Sequence, residues 1–209
     1  VRVVMSGAGA AGTAILKLLL AAGVKNAVVA DIHGVVHADR EDLVDAAPDS
    51  ALRWIAENTN PENLTGTLKE AVRGADVFIG VSAPNVIDGD DVAAMADGAI
   101  VFALANPDPE VDPAIARETA AVVATGRSDF PNQINNVLVF PGVFRGLLDA
   151  QSRSVNTEMM LAAAQALADV VTEDELNPNY IIPSVFNDRV ASTVAGAVRA
   201  AAERSGATA

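Results

Sequence analysis

Gly7-Ala8-Gly9-Ala10-Ala11-Gly12 follows a short apolar run directly and opens a segment with helical spacing. The GxGxxG spacing has a mechanical meaning. The first glycine lets the chain turn sharply, the second lets backbone approach a pyrophosphate, and the third lets the helix close on the strand. Amide groups at the start of that helix, and its positive end, then hold phosphates without a basic side chain. Taken alone the signal is weak, because a Gly/Ala-rich turn also packs a helix tightly with no ligand. Asp31 strengthens it. It ends the second apolar run, nineteen residues after Gly12, where a carboxylate can accept both ribose hydroxyls of an adenosine. An acid there favours NAD, since the 2′-phosphate of NADP would meet like charge. His33 and Arg40 follow closely and can either touch a 2′-phosphate or sit as solvated surface groups.

Three further loops carry polar groups at the ends of apolar runs, where open parallel sheets bind ligands. In Gly80-Val-Ser82-Ala83-Pro84-Asn85, small residues let a flat ring approach the backbone, although a simple turn reads equally well. Asn106 offers both a donor and an acceptor, suited to ribose hydroxyls, a carboxamide or a substrate carboxylate; it also suits turn initiation before Pro107. Asn135 and Asn136 precede another apolar segment, and one can face a site while the other ties down the loop. Arg127 can pair a substrate carboxylate or simply Asp129. Other chemistry lacks support. His33 and His37 stand alone as metal ligands, Ser128 has no histidine to activate it, and Asp88, Asp90 and Asp91 read as the start of a helix. The sole tyrosine, Tyr180, lies in a Pro-rich connection. No lysine falls in a strand-end loop, so the chain shows no convincing group to take a hydroxyl proton.

The elements that must position these groups alternate. Apolar runs at Val1–Met5, Ala27–Ala30, Val77–Ile79, Ala99–Ala105 and Ala121–Ala124 lack polar alternation, as strands buried on both faces should. Helices are predicted over Thr13–Ala22, Leu52–Asn58, Leu68–Arg73 and Asp91–Ala96, with another starting at Asp112-Pro113. Thr67 and Glu70 read as a capping box. Such alternation forces parallel pairing. The expectation is an α/β, Rossmann-type, doubly wound and mostly parallel sheet of about five strands with helices on both faces. Extra C-terminal helices follow over Asn156–Val171 and Asp188–Arg204. With no linker or repeat, residues 1–209 are expected to form one domain.

Composition narrows the function classes. Fourteen Lys and Arg against twenty-seven Asp and Glu give a net charge of −13, which argues against nucleic acid and against an anionic membrane surface. Hydrophobic residues make up 51% of the chain, enough for a sizeable core. The absence of cysteine removes disulfides and thiolate chemistry. No apolar stretch is long enough to span a bilayer, and the opening Val-Arg-Val-Val-Met-Ser lacks a signal-peptide pattern. The expectation is a soluble, cytoplasmic protein.

Several motifs then occur together and in order. They are the glycine turn, Asp31-Ile-His-Gly, Ala103-Leu-Ala-Asn-Pro-Asp-Pro-Glu110, Thr125-Gly-Arg-Ser-Asp-Phe-Pro-Asn-Gln-Ile-Asn-Asn136, Phe140-Pro-Gly-Val-Phe-Arg-Gly146 and Ile182-Pro-Ser184. In this the chain resembles the NAD(P)-binding domain of prokaryotic malic enzymes over essentially its whole length. The resemblance implies oxidation of malate, loss of CO₂ and release of pyruvate with reduced NAD or NADP, using Mg²⁺ or Mn²⁺ as a Lewis acid. It implies that Gly7, Ala8, Gly9, Ala10, Ala11 and Gly12 form the phosphate turn and that Asp31 holds the ribose. Ser82 and Ala83 would border the cofactor. Asn106 would meet the nicotinamide half or malate, and Asn135 with Asn136 would face malate and nicotinamide. The family's proton-transferring Tyr and Lys, and its metal carboxylates, belong to an N-terminal domain that precedes the first Rossmann strand, where this chain begins. The resemblance therefore leaves the catalytic residues of this chain unknown and implies no metal ligand within it. The partner implied is that N-terminal domain, in a homo-oligomer such as a dimer. A free-standing NAD(P)-binding or sensing module, or the cofactor domain of another dehydrogenase, remains as an alternative.

Overall fold

The apolar runs become strands whose side chains alternate between two cores. In the computed structural model, which describes residues 1–208, the chain divides into two compact units, Val1–Phe130 and Pro131–Ala209. The first holds a sheet of β1 (Arg2–Ser6), β2 (Asn26–Asp31), β3 (Gly34–Val35), β4 (Val77–Gly80), β5 (Ile100–Ala103) and β6 (Val122–Thr125). Its order is β3-β2-β1-β4-β5-β6. All neighbours pair in parallel except β2 and β3.

Val4, Val28, Phe78, Val101 and Val123 enter one core, with Ala71 of α3 (Leu68–Ala71), Val92 of α4 (Gly89–Ala93) and Ala116 of α5 (Pro113–Ala116). Val3, Met5, Ala27, Val29 and Ile79 enter the other. There they meet Leu16 of α1 (Ala10–Ala21) and Ile55 of α2 (Ala51–Asn58). Both faces are thus covered by helices, and this double burial is why the strands show no polar alternation. The chain leaves β1 toward one face and β4 toward the other. That divergence opens a crevice beyond the carboxyl ends of two adjacent strands.

Local chemistry sets the element ends. Thr67 and Glu70 cap each other's backbone amides at the start of α3, and Asp112 caps α5 with Pro113 in its first turn. The sixth strand was not expected. β3 forms because the Asp31 carboxylate accepts the His33 amide at 2.8 Å and Gly34 adopts φ +99°. The chain then turns back on β2 within two residues.

The second unit contains a short 3₁₀ turn (Asn136–Leu138), α6 (Phe140–Asp149), α7 (Thr157–Ala168) and α8 (Arg189–Arg204). Leu138, Met159, Ala163, Val194 and Val198 form its core. Helix α6 is also unforeseen, because Pro141, Gly142 and Gly146 are poor helix formers. Pro141 lies in the first turn, where no amide is needed. A Cβ on Gly142 would lie 2.7 Å from Val194 Cβ, and one on Gly146 would lie 2.6 Å from the Ala195 carbonyl oxygen. Tight packing of α6 on α8 therefore requires glycine and overrides helix propensity.

Candidate functional site

The glycine turn starts where β1 ends. Gly7 takes φ +113°, a left-handed conformation, and its amide donates to the Ala30 carbonyl at 2.8 Å. A Cβ there would meet the Val81 carbonyl oxygen at 2.8 Å, and one on Gly12 would lie within 1.9 Å of the Gly7 carbonyl oxygen. Gly9 differs from both, since a Cβ built on it meets nothing within 4 Å. It is the extended N-cap of α1, and no side chain covers the helix's first amides. Open space in front of uncapped amides is what an anionic group needs.

Gly7, Ala8, Gly9, Asp31, Ser82 and Ala83 line one cleft of about 520 Å³. The structure thus brings the glycine turn, the acid that ends β2 and the small residues after β4 to a single place. Ala10, Ala11 and Gly12 form the first turn of α1 behind it. Ile32, Leu68 and Val86 also line the cleft, and Ile32 is 94% exposed. These apolar groups were missed by sequence reasoning. The position of Ile32 directly after the acid was the available signal.

Asp31 is not a lone carboxylate. Arg40 grips it with two hydrogen bonds, Nη1 to Oδ1 at 3.0 Å and Nη2 to Oδ2 at 2.7 Å. The same guanidinium holds both oxygens of Asp42, at 2.7 and 2.6 Å. Arg40 is buried to nine-tenths, and its Nη1 also reaches the Gly34 carbonyl at a long 3.5 Å. The hydrogen bonds to Asp42 and Asp31 strengthen its protonated form against the opposing effect of burial. In return Arg40 holds the Asp42 carboxyl below its ordinary range. With two carboxylates and one guanidinium, the cluster stays net negative. Asp31 also borders a second hollow of about 500 Å³, with His33, His37 and Thr67.

Ser82 Oγ lies 2.7 Å from Ser6 Oγ, and its amide donates to Glu110, a residue that sequence reasoning did not single out. Asn106 is exposed beyond β5, follows no strand register, and does not line the cleft of the glycine turn. Asn135 and Asn136 are exposed residues of the second unit. The Asn135 Oδ1 accepts the Val137 amide at 3.0 Å, which caps the 3₁₀ turn. The residue that ties down this loop is Asn132. Its Nδ2 donates to the Pro178 carbonyl at 2.8 Å and its Oδ1 accepts the Ile181 amide at 2.9 Å.

The remaining polar candidates serve structure. Arg127 pairs with Asp129 at 2.8 and 2.6 Å. Asp88 caps α4 together with Asp91, and Lys69 bridges both. Among the described residues, no group of three or more His, Asp or Glu side chains could hold a metal ion, and no helix is long and apolar enough to cross a membrane.

Comparisons with known proteins identify the family. The family model "Malic enzyme, NAD binding domain" matches residues 1–203. An NAD-dependent malic enzyme of Geobacillus stearothermophilus is 55% identical over 206 residues, covering 99% of this chain and 42% of that protein. A bifunctional malic/malolactic enzyme of Bacillus subtilis is 47% identical, covering 99% of this chain and 50% of that protein. The crystal structure of Entamoeba histolytica malic enzyme superposes with a TM-score of 0.93 at 37% identity, covering 99% of this chain and 43% of that one. The chain spans about half the length of these relatives. With the family model matched over residues 1–203 and relatives of 47–55% identity covering nearly all of it, the chain belongs to the malic enzyme family, of which it carries the NAD-binding domain.

Proposed function

We propose that this chain is the dinucleotide-binding part of a malic enzyme that oxidises malate, releases CO₂ and leaves pyruvate with NAD(P) reduced. The observation that carries the reading is the open, amide-lined turn at Gly9, facing one cleft with Asp31 and Ser82. The backbone of Ala8, Gly9, Ala10 and Ala11 would hold the diphosphate, Asp31 the adenosine ribose, and Ile32 one face of the adenine. When bound, the dinucleotide supplies the two-electron acceptor for the alcohol carbon of malate. Asn106, Asn135 and Asn136 carry the donors and acceptors suited to the malate carboxylates and the nicotinamide carboxamide. Mg²⁺ or Mn²⁺, and the Tyr and Lys that move protons, are assigned in this reading to the other half of the intact protein. Both compact units belong to one NAD(P)-binding domain in the same reading, because the family match runs through them.

The assembly proposed is a soluble, cytoplasmic homo-oligomer. An exposed apolar stripe on α6, Phe140, Phe144 and Leu148, supports a companion surface, whether the N-terminal domain or a second copy. Light scattering on the intact protein tests the oligomer.

NAD is the preferred cofactor in this reading. The Asp31–Arg40–Asp42 cluster is net negative, and Arg40 is already committed to two acids. Relatives include NAD- and NADP-dependent enzymes, so the local charge carries the argument. The test is malate-dependent reduction by the intact protein with Mg²⁺ or Mn²⁺. We expect a higher kcat/KM with NAD than with NADP, and Asp31→Ala should shift that ratio toward NADP by about tenfold, roughly one lost ribose contact. No reduction with either cofactor would overturn the assignment; a wild-type preference for NADP would overturn only the choice between them.

A further inference from the structure

Glu110 is completely buried at 0% exposure. Among the described residues no Lys, Arg or His forms an ion pair with it. A buried carboxylate is costly unless hydrogen bonds satisfy it, so its partners show what it is for. Oε1 accepts the Ser82 amide at 2.8 Å and the Ser82 hydroxyl at a long 3.4 Å. Oε2 accepts the Ala105 amide at 3.0 Å. These two amides lie on different loops, one after β4 and one after β5. The last rung between those strands pairs Gly80 with Ala103, and the Leu104 amide still reaches the Gly80 carbonyl at 3.0 Å. Beyond that point the ladder ends, and the Glu110 carboxylate takes its place. Its backbone carbonyl also accepts the Ile87 amide at 3.2 Å, at the far end of the β4–α4 loop. Gly80 makes the arrangement possible, because a Cβ there would lie 2.3 Å from the Glu110 carboxyl carbon.

We propose that Glu110 is a positioning residue for the dinucleotide. Its two oxygens fix the spacing between the loop that carries Ser82 and Ala83 and the loop that carries Ala105 and Asn106. The inference rests on the cofactor reading above, since Ser82 and Ala83 line the cleft with the glycine turn. The chemistry demands a carboxylate. Two amides from two loops need two acceptors, and glutamine would place an NH₂ donor against one of those N–H groups.

Glu110→Gln in the intact protein is the test, read by NADH fluorescence titration and by thermal unfolding without ligand. The expected result is a Kd for NADH raised about tenfold, the size of one lost charged hydrogen bond felt at the cleft. The KM for the dinucleotide should rise in parallel. Glu110→Asp keeps the charge but is one methylene short, so it reaches one loop and should give a smaller rise, about threefold. A purely structural carboxylate would lower the unfolding midpoint and leave Kd within twofold of wild type, which overturns the proposal. If Glu110→Gln does not fold, Glu110→Asp decides by the same criterion, and failure of both to fold assigns the carboxylate to the fold alone. Wild-type protein that binds neither NADH nor NADPH would instead overturn the cofactor reading.

Discussion

In the sheet-bearing unit Gly9 keeps a space open, whereas in the helical unit Gly142 and Gly146 allow one to be closed. The Cβ missing from Gly9 would touch nothing; those missing from the other two would strike Val194 and the Ala195 carbonyl. The same residue type therefore leaves room at Gly9 and admits a neighbouring helix at Gly142 and Gly146. Asparagine behaves alike in both. Asn60 and Asn132 are buried, take positive φ, and use side-chain amides as substitute backbone. Asn60 donates to the carbonyls of Val36 and Leu64 and accepts the Leu64 amide, while Asn132 bridges Pro178 and Ile181. Loops in both units are held this way because irregular backbone must still satisfy its buried groups. What separates Gly9 from Gly142 and Gly146 is whether the space a Cβ would take is left vacant.

The largest expected effect tests that vacancy. Gly9→Ala should weaken NADH binding on the order of 100-fold, ~2.7 kcal/mol, while unfolding free energy stays within about 0.5 kcal/mol of wild type. Equal losses of binding and stability would erase the contrast with α6. Next, Asn60→Ala and Asn132→Ala should each cost roughly 2 kcal/mol in urea unfolding, because each strands buried backbone groups and leaves alanine at positive φ. A neutral result at either position would show that water replaces the side chain. Gly146→Ala should lose roughly 1 kcal/mol, as overpacking against α8 outweighs the gain in helix propensity. A more stable variant would mean that α6 can move off α8 freely.

The smallest effect concerns acid. Hydrogen bonds from Arg40, Lys69 and Arg127 hold the carboxyls of Asp42, Asp88 and Asp129 below their ordinary 3.8. The Thr67 amide does the same for Glu70, ordinarily 4.5. All four lie in the first unit; in the second, the Thr172 amide lowers Glu175. Because the folded values are depressed, their stabilisation is present near neutrality and lost as pH falls below the ordinary range. Hydrogen exchange between pH 5 and 2 (roughly the span over which such groups titrate) should therefore show protection fading more steeply in the first unit. A steeper loss in the helical unit would reverse the comparison.

Much of the sheet was legible because strands buried on both faces must be apolar throughout. β1, β2, β4, β5 and β6 fall where Val1–Met5, Ala27–Ala30, Val77–Ile79, Ala99–Ala105 and Ala121–Ala124 were expected, with ends shifted by a residue or two. The Thr67–Glu70 and Asp112-Pro113 caps were readable for a similar reason, since each partner lies within three residues. β3 was hidden because two residues carry no period. α6 was hidden because its glycines oppose helix formation locally and are explained only by α8.

Backbone conformation and periodic burial are local demands, so the residues alone dictated a mostly parallel sheet, a tight glycine turn after β1 and an acid at the end of β2. Pairing and desolvation depend on neighbours far along the chain. That is why only the folded molecule revealed that Arg40 clamps Asp31 and that Glu110 reaches Ser82, 28 residues away. It also turned Asn135 into a cap and Asn132 into the tie. A charge becomes a ligand, a partner or a strut according to what surrounds it, and those surroundings are assembled by tertiary packing.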